Sequence, residues 1–420
     1  MSKKTVKTGT IWISFLVLIM AIAFGVWIRQ LRLGLEVTAM NNYVSWGLYI
    51  ITFAFLVGLS AGGLIVSSTA YIFKLKRLEQ MAPVGIIAAV ACVIGAGGMV
   101  FVDVGHPERV LNILFGSGRI TSPLKWDFFI LSAYLLLGVS ELYVLFGKKW
   151  NNKPEAQRER MLRWAAYIGL PVAILVHSIT AWIFGLQIGR PYWNTALMAP
   201  IFISSAVVSG VGLLLIIAYA GQRSGQEVPG LDEQNRAFLT KLLSSFILVD
   251  AFFLFCDLFT SAYSGGTFEA SAVARVLSGS LSPIFWVELI CGVALPFLLL
   301  VHSKTKKSLG YQALAGVLVV LGVFFKRINI ILPGFLQLNV PYSPGVSTGH
   351  FIPAQGAFSS VADKSSFTVI GHYFPSVSEI LITLGVLAMV AFLITIGVKL
   401  TLNMNQSEQV FKDVHVGEEL

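Results

Sequence analysis

Ten apolar runs of membrane-spanning length constrain the fold of this 420-residue chain more than any other feature. A helix needs roughly 20 apolar residues to cross the hydrocarbon core of a bilayer. The runs lie at residues 11–32, 43–74, 82–103, 126–147, 161–187, 198–220, 241–263, 283–302, 310–326 and 377–401. Only 12% of the residues are charged, whereas about a quarter are charged in a soluble globular protein. The sequence therefore predicts an all-α integral membrane protein with about ten transmembrane helices.

The distribution of basic residues predicts how the helices are oriented. The side that holds both termini carries 20 Lys and Arg residues, and the other side carries 10, among them Lys326 and Arg327 at the predicted end of the ninth helix. Cytoplasmic loops of membrane proteins carry the excess of Lys and Arg. We therefore expect a multi-pass protein of the inner (cytoplasmic) cell membrane with both termini in the cytoplasm. The net charge of +9 reflects this topology and does not indicate nucleic-acid binding.

One polar stretch ends the third apolar run. Asp103, His106 and Arg109 fall within seven positions, and Pro107 disfavours helical geometry at His106. An acid and an imidazole at the mouth of an apolar cleft suit the reduction of a quinone, which takes up two protons with two electrons. An interfacial salt-bridge cluster beside a helix cap explains the same residues.

Aromatic and charged residues lie at the same predicted outer side of other helices. Trp46 and Tyr49 open the second helix, Trp126 and Asp127 open the fourth, and Arg190 follows the fifth. Taken singly, the aromatic residues fit the belt found at membrane interfaces, and Asp127 fits a capping carboxylate at a helix start. Together with the stretch around Asp103, they predict a polar site on the outer face.

Ionisable residues inside the apolar runs raise a second possibility, because such groups are costly in a bilayer and need a partner or a function. His177 lies about ten residues from the end of the fifth run, roughly 15 Å deep at ~1.5 Å per residue. It fits a packing histidine or a group that exchanges a proton with a bound redox ligand. Glu141, Asp250, Asp257 and Glu288 fit either buried pairing or a proton path, and the seven-residue spacing of the two aspartates puts them on one helix face.

The positions of cysteine and histidine argue against a metal cofactor in this chain. Cys92, Cys256 and Cys291 lie in apolar runs without C-x-x-C spacing, so they offer no ligand set for an iron–sulfur cluster. A b-type haem between helices needs paired deep histidines, and of the six here His177 alone lies well inside a run. We therefore expect no metal site, no haem and no iron–sulfur cluster in this chain.

Several motifs together resemble the polysulfide-reductase membrane-subunit family of the NrfD/PsrC type. They are Val44–Ile50, Val57–Gly63, Asp103–Arg109, Trp126–Asp127, His177–Gln187 and Arg190–Pro191. The resemblance covers helices two to nine. The ten-helix length is similar to that of the longer members in hydrogenase-2-like, sulfite-reductase-associated and alternative-complex-III assemblies.

The resemblance implies two four-helix bundles with flanking helices. The implied segments are an N-terminal flanking helix at 1–42, a first bundle with the quinone site at 43–197, a second bundle at 198–332, an extracytoplasmic loop at 333–376, and a flanking helix with a cytoplasmic tail at 377–420.

The resemblance also implies the activity, which is that of the quinol/quinone oxidoreductase subunit of a membrane complex. Such a subunit binds a quinone, here menaquinone in preference to ubiquinone, and contains no haem. It exchanges electrons with a ferredoxin-like iron–sulfur subunit on the extracytoplasmic side, which is connected to a catalytic or multihaem cytochrome subunit. Further membrane subunits and the lipid bilayer are its other expected neighbours.

By resemblance, one set of residues lines the quinone site: Trp46, Tyr49, Asp103, His106, Arg109, Trp126, Asp127, His177 and Arg190. His177 or His106 would handle the proton, and Asp103 or Asp127 would relay it. The eight-helix members carry a histidine and an asparagine in the first bundle helix, whereas this chain has Gly47–Phe53 there. We therefore expect some hydrogen-bond partners of the quinone to come from other helices.

An alternative function uses the second bundle. Asp250, Asp257 and Glu288 fit an ion- or proton-translocating module, or an anchor, with no redox chemistry of its own. They also fit a combined function, in which quinone chemistry drives proton translocation through the second bundle.

Overall fold

The computed structural model describes residues 3–41, 44–116, 119–147, 153–263, 267–336, 351–352, 357–358 and 373–418. Within that part of the chain, ten helices are long and apolar enough to span a membrane, which confirms the predicted class and helix count. They are α1 (Lys3–Leu33), α2 (Leu48–Ile72), α3 (Ala82–Asp103), α4 (Pro123–Phe146), α5 (Glu155–Gly185), α6 (Met198–Arg223), α7 (Glu233–Tyr263), α8 (Ser282–Val301), α9 (Leu309–Leu336) and α10 (Val377–Glu418).

The ten helices form two four-helix bundles and a flanking pair. Helices α2 to α5 pack in a ring as the first bundle, and α6 to α9 pack in the same way as the second. The bundles meet where α6 packs against α2 and α5, and α9 against α2. The flanking helices α1 and α10 pack on each other, and α10 also packs on α3. We call the membrane side on which α2 begins and α3 ends the motif side.

Proline marks the start of several helices. Pro123 opens α4 after Ser122, and Pro83 and Pro283 lie in the first turns of α3 and α8. Proline suits these positions because the first amide groups of a helix have no acceptor within the helix. Pro171 instead lies inside α5, a position that membrane helices tolerate.

Glycine pairs bring the central helices into close contact. A Cβ atom built on Gly62 of α2 would lie 2.3 Å from the Cα of Gly210 in α6, and one on Gly63 would lie 2.1 Å from the carbonyl oxygen of Gly85 in α3. Membrane helices associate largely through such close packing of small residues. The junction of the two bundles therefore depends on the absence of side chains at Gly62 and Gly210, and the packing of α2 on α3 depends on their absence at Gly63 and Gly85.

The ninth helix corrects one prediction. The apolar run was expected to end at residue 326, with Lys326 and Arg327 at the outer end, but α9 continues to Leu336 and both side chains are at most 1% exposed. Charges inside a membrane helix are costly unless they are paired, and here Asp250 of α7 accepts a hydrogen bond from Lys326. The basic count on the motif side therefore falls by two, and the asymmetry between the two sides increases.

Several shorter elements lie outside the spanning helices. A helix at Thr267–Leu277 precedes α8, and Phe351–Ile352 pairs antiparallel with Ala357–Phe358. The predicted loop at 333–376 lies mostly outside the described residues. The boundaries predicted for the five segments stay predictions.

Candidate functional site

The residues expected to line one quinone site separate into distinct groups on the motif side. Trp46 stacks on Trp193 with ring centroids 6.3 Å apart and meets Phe184 and Phe335 edge-on at 5.8 and 5.9 Å. Arg190 lies 5.1 Å above the ring of Phe335. The structure thus brings Trp46 and Arg190 to the same aromatic group at the junction of the bundles. The packing there is closed, because Trp193 is only 2% exposed.

Tyr49 and Asp103 belong to a second group, which lies against the flanking helices. We call it the Asp103 cluster: Trp27, Gln30, Tyr49, Asp103, Tyr373 and Glu379. Its members come from α1, α2, α3, α10 and the segment before α10. The Tyr49 hydroxyl donates to Gln30 Oε1 at 2.7 Å, and Gln30 Nε2 donates to the carbonyl oxygen of Val102 at 3.0 Å. These bonds connect α1, α2 and α3 directly below the motif.

Glu379 holds the start of α2 in place. This fully buried carboxylate accepts hydrogen bonds from the amides of Ala39 and Ser376, both at 2.8 Å, and from the Tyr373 hydroxyl at 2.6 Å. The same hydroxyl accepts a bond from the amide of Leu48 at 2.6 Å. Burial and the charge of Glu379 raise the pKa of Tyr373, so the phenol stays protonated. A Cβ on Gly47 would lie 2.3 Å from this hydroxyl, which explains the glycine between Trp46 and Leu48.

Two polar atoms of the cluster have no hydrogen-bond partner among the described residues. They are Oδ1 of Asp103 and the indole nitrogen of Trp27, and both are buried. The Trp27 ring packs 5.9 Å from Phe101, two residues before Asp103 in α3. A buried polar group left unpaired costs about 1–3 kcal/mol, and a catalytic role or a bound water is among the explanations for such a group. The cluster therefore offers one free N–H donor and one free carboxyl oxygen beside α1, which is largely exposed to the membrane.

The remaining residues of the motif point away from Asp103. Gly105, with a φ of 71°, turns the chain after α3, and His106 and Arg109 follow on the surface. The imidazole Nδ1 lies 3.0 Å from Glu108, and the Arg109 guanidinium lies 3.8 Å from the same carboxylate. The structure thus separates His106 and Arg109 from Asp103. Trp126 also lies in this surface region, where its indole donates to the carbonyl oxygen of Ile120.

The interior of the first bundle contains the other predicted polar residues. Both ring nitrogens of His177 face backbone carbonyl oxygens, of Ala173 at 2.7 Å and of Val57 at 3.1 Å, although a neutral imidazole carries a single N–H. Asp127 accepts a hydrogen bond from Thr180 at 2.6 Å. It is not the capping residue considered from the sequence, because α4 begins four positions earlier.

Glu141 lies further from the motif side in the same bundle. Its carboxyl group is buried and its Oε2 atom has no hydrogen-bond partner. It shares one face of α4 with Asp127 and Tyr134, because the three residues are seven positions apart.

The second bundle brings Asp250 and Glu288 together around a lysine that the sequence placed at a helix end. We call Asp250, Glu288 and Lys326 the ion triad. Lys326 donates to Asp250 and lies 3.9 Å from Glu288. The Ser204 hydroxyl donates a second hydrogen bond to Asp250, at 2.8 Å, and the Asn329 amide donates one to Glu288, at 2.7 Å. Asp257 lies nearer the motif side, where it lines a small cavity with Glu288 and Lys326.

Arg327 turns towards the first bundle because consecutive helical side chains point in different directions. Its guanidinium donates to Ser205 at 2.8 Å and lies 3.8 Å above the ring of Phe202.

Sequence reasoning also missed other residues of these sites: Trp27, Gln30, Asn329, Tyr373 and Glu379. The apolar residues that follow Arg327 were the one available signal that α9 continues past its charges.

Comparison with known proteins identifies the family. The family model described as "Polysulphide reductase, NrfD" matches residues 36–339, which is most of the chain. The chain belongs to the NrfD family. This result confirms the resemblance drawn from the motifs.

Relatives of this NrfD-family chain are components of oxidoreductases. It is 33% identical to a putative dimethyl sulfoxide reductase membrane subunit of Halobacterium salinarum, over 93% of this chain and 91% of the relative. It is 28% identical to the "Hdr-like menaquinol oxidoreductase integral membrane subunit" of Archaeoglobus fulgidus, over 90% of each chain. It is 23% identical to the "menaquinone reductase, integral membrane subunit" of Nitratidesulfovibrio vulgaris, over 77% of this chain and 80% of the relative.

Proposed function

We propose that the chain is the haem-free, quinone-reactive membrane subunit of a respiratory oxidoreductase complex. It exchanges electrons between the menaquinone pool and an iron–sulfur partner subunit. Membership of the NrfD family and the likeness to proteins named as menaquinol oxidoreductase and menaquinone reductase subunits support this proposal.

The observation that carries the proposal is the pair of unpartnered buried atoms in the Asp103 cluster. A bound quinone supplies two-electron, two-proton chemistry and presents carbonyl oxygens that accept hydrogen bonds. The indole N–H of Trp27 suits such an acceptor, and Oδ1 of Asp103 suits the donation or uptake of a proton. Both atoms lie beside the membrane-exposed helix α1, from which a lipid-soluble ligand enters without crossing a polar surface.

Other residues of the cluster position these two groups. The hydrogen bonds of Gln30 to Tyr49 and to the Val102 carbonyl hold α1 and α2 against the end of α3. Glu379 and Tyr373 hold the start of α2 from the other side. The indole of Trp27, in α1, is the partner that we propose in place of those missing from the divergent stretch in α2.

The exposed loop after Asp103 is the proposed docking surface for the iron–sulfur partner. His106, Glu108 and Arg109 are each about two-thirds exposed, and they directly follow the quinone-site residue in the chain. A partner on this surface has a short path for electrons to the Asp103 cluster. The excess of basic residues on the opposite side supports an extracytoplasmic position for this loop.

The test is quinol oxidation by the purified complex with a menaquinol analogue. We expect Asp103→Asn to lower turnover at least about 100-fold, because proton transfer by a positioned group contributes a factor of that size. Trp27→Phe removes one donor and should raise KM about fivefold, in line with a loss of about 1 kcal/mol. The matched control is Trp12→Phe in the same helix, whose indole already donates to Thr395 at 3.2 Å.

Two results would contradict the proposal. One is wild-type turnover in both Asp103→Asn and Trp27→Phe in complexes shown to be assembled. The other is the absence of quinol-dependent turnover in the wild-type complex.

A second candidate function is ion or proton translocation without redox chemistry, and the buried ion triad favours it. In that case, turnover of the complex would be insensitive to substitutions in the Asp103 cluster.

A further inference from the structure

The second bundle contains buried charged residues that take no part in the quinone chemistry proposed above. Asp250, Glu288 and Lys326 extend from α7, α8 and α9, and each is at most 3% exposed. One ammonium group serves two carboxyl groups, since Lys326 donates to Asp250 and lies 3.9 Å from Oε1 of Glu288. That oxygen has no hydrogen-bond partner of its own. A lysine between two acceptors has the geometry of a group that passes a proton from one to the other.

Two small cavities adjoin the triad, one on each side of it. The cavity nearer the motif side is lined by Tyr192 and Asp257 together with Glu288 and Lys326. The deeper cavity is lined by Asp250, again with Glu288 and Lys326. Each has room for about one or two water molecules. Glu288 and Lys326 therefore separate two water-sized spaces at different depths of the bundle.

In the described part of the chain, further buried polar atoms without a hydrogen-bond partner occur on both sides of these cavities. Oδ1 of Asn329 is buried without a partner beside the cavity nearer the motif side. Towards the opposite side, the hydroxyl of Thr240 and Oε1 of Gln312 are also buried without partners. Thr240 lies ten residues before Asp250 in α7. Because buried polar groups are normally satisfied, we expect ordered water at such atoms where there is space for it.

The backbone of α8 is irregular at the triad. A π-helical segment begins at Glu288 and extends to Ala294. Such turns are rare and occur frequently at functional sites. A Cβ on Gly292, within this segment, would lie 2.6 Å from the Cα of Gly322 in α9. The π-helical segment therefore lies against α9 about one turn below Lys326.

We propose that the ion triad is a proton relay through the second bundle. Glu288 receives a proton from the cavity nearer the motif side. Lys326 first gives a proton to Asp250, so that an N–H bond breaks and an O–H bond forms. The neutral amine that results then takes the proton of Glu288, so that an O–H bond breaks and an N–H bond forms. One proton moves, no electrons are exchanged, and the deeper cavity accepts the proton from Asp250. The opposite direction uses the same steps in reverse.

The surrounding charges are compatible with this assignment. Arg327 donates to Ser205 and lies above the ring of Phe202, both in α6, and its charge also acts on Asp250 and Glu288. Asp257 lies on the far side of the motif-side cavity. The ammonium occupies the position between the two carboxyl groups in which a metal cation would bind. The site therefore favours protons over sodium ions.

The inference rests on the proposed function for its driving force, because quinol turnover would supply the energy for proton movement. The experiment uses the purified complex in sealed vesicles, with a menaquinol analogue and a pH-sensitive dye on each side of the membrane. We expect Glu288→Gln to abolish the translocated protons and to leave turnover with an uncoupler close to the wild-type rate. Glutamine keeps an acceptor for Asn329. The control, Glu227→Gln, removes an exposed charge from a loop of the same bundle.

A double variant guards against misfolding. Lys326→Met with Asp250→Asn removes both ionic partners, so no unpaired charge stays buried. We expect it to assemble and to translocate no protons. The relay would be overturned if Glu288→Gln or the double variant translocated as many protons per quinol oxidised as the wild type. Translocation of sodium ions instead of protons would also overturn it.

A second measurement does not depend on quinone turnover. Infrared difference spectra of the complex between acidic and alkaline buffer should contain a carboxyl band that Glu288→Gln removes and Glu227→Gln leaves unchanged. If the wild-type complex oxidises no quinol, the proposed function fails, but this band still decides whether Glu288 exchanges a proton. An identical spectrum for Glu288→Gln and wild type would overturn the relay while the quinone proposal stands.

Discussion

The two four-helix bundles share one architecture but give their buried ionisable groups different partners. In the first bundle, Asp127 is bonded to the hydroxyl of Thr180, and His177 faces two backbone carbonyl oxygens. In the second, Asp250 and Glu288 lie around Lys326. A buried charge is tolerable when an opposite charge and hydrogen bonds compensate for its desolvation. The second bundle can therefore hold permanent charges, whereas the first relies on neutral hydrogen-bonding groups.

The bundles also differ in packing. In the first bundle α2 and α3 are mostly buried and α4 is mostly exposed, whereas in the second bundle both α7 and α8 are mostly exposed. The cavities of the second bundle lie beside the irregular segment of α8, which packs closely on α9 at Gly292 and Gly322. The difference between the bundles therefore lies in these cavities and in the ionic partners of the buried groups.

The largest effect that tests this contrast comes from breaking the ion triad. Asp250→Ala leaves Lys326 buried without its hydrogen-bonded partner, and we expect it to destabilise the complex by about 3–5 kcal/mol. Asp127→Ala, its counterpart in the first bundle, should cost no more than about 1 kcal/mol, because the Thr180 hydroxyl keeps the Val176 carbonyl oxygen as an acceptor at 2.8 Å. Thermal unfolding of the detergent-solubilised complex measures both. Equal losses in the two variants would remove the distinction between ionic and neutral interiors.

A smaller effect tests whether the bundles behave as one unit. Gly62→Ala places a methyl group 2.3 Å from the backbone of Gly210 and should cost about 1–3 kcal/mol through overpacking. The control is Gly97→Ala in α3, where nothing lies within 4 Å of the added carbon. That change should alter stability by no more than about 0.5 kcal/mol. If Gly62→Ala melts at the wild-type temperature, the glycine contact does not hold the bundles together.

The ten helices could be predicted from the sequence because hydrocarbon imposes a minimum apolar length on each span. The end of α9 could not. A hydropathy scale assigns lysine and arginine unfavourable values at any position, so the predicted span ends at Lys326 and Arg327. The carboxylate that allows Lys326 to be buried lies 76 positions earlier, in another helix. Local pattern carries no information on such pairing.

The prediction of the candidate site was limited for the same reason. The motif residues around Asp103 were recognisable because they are dense and contiguous, but Gly105 turns the chain and separates Asp103 from His106. The residues that complete the Asp103 cluster come from the two ends of the chain, since the amide of Ala39 bonds to a carboxylate 340 positions away. Spacing along one helix predicts which residues share a face, and long-range contacts decide what that face meets.

The smallest effect concerns a surface link between the bundles on the side opposite the motif. Arg77, in the segment after α2, lies 3.0 Å from Asp232, which precedes α7, and both side chains are about half exposed. Some burial raises the pKa of Asp232, but hydrogen bonds from the Asn235 amide and from Arg77 outweigh it and lower that pKa overall. Asp232→Asn keeps the hydrogen bond to the Asn235 amide, because asparagine caps helices well, and removes only the charge.

At neutral pH we expect Asp232→Asn to cost no more than about 1 kcal/mol, as is usual for exposed ion pairs. A carboxylate with a lowered pKa stabilises the folded state above its unfolded value, near 3.9, and loses that contribution as the pH falls through the folded value. The difference between variant and wild type should therefore vanish in acid and shrink in high salt. Thermal unfolding across pH, with Arg77→Gln and the double variant as a cycle, measures it. If Asp232→Asn at neutral pH lost as much stability as Gly62→Ala, this surface pair, and not the glycine contact alone, would join the two bundles.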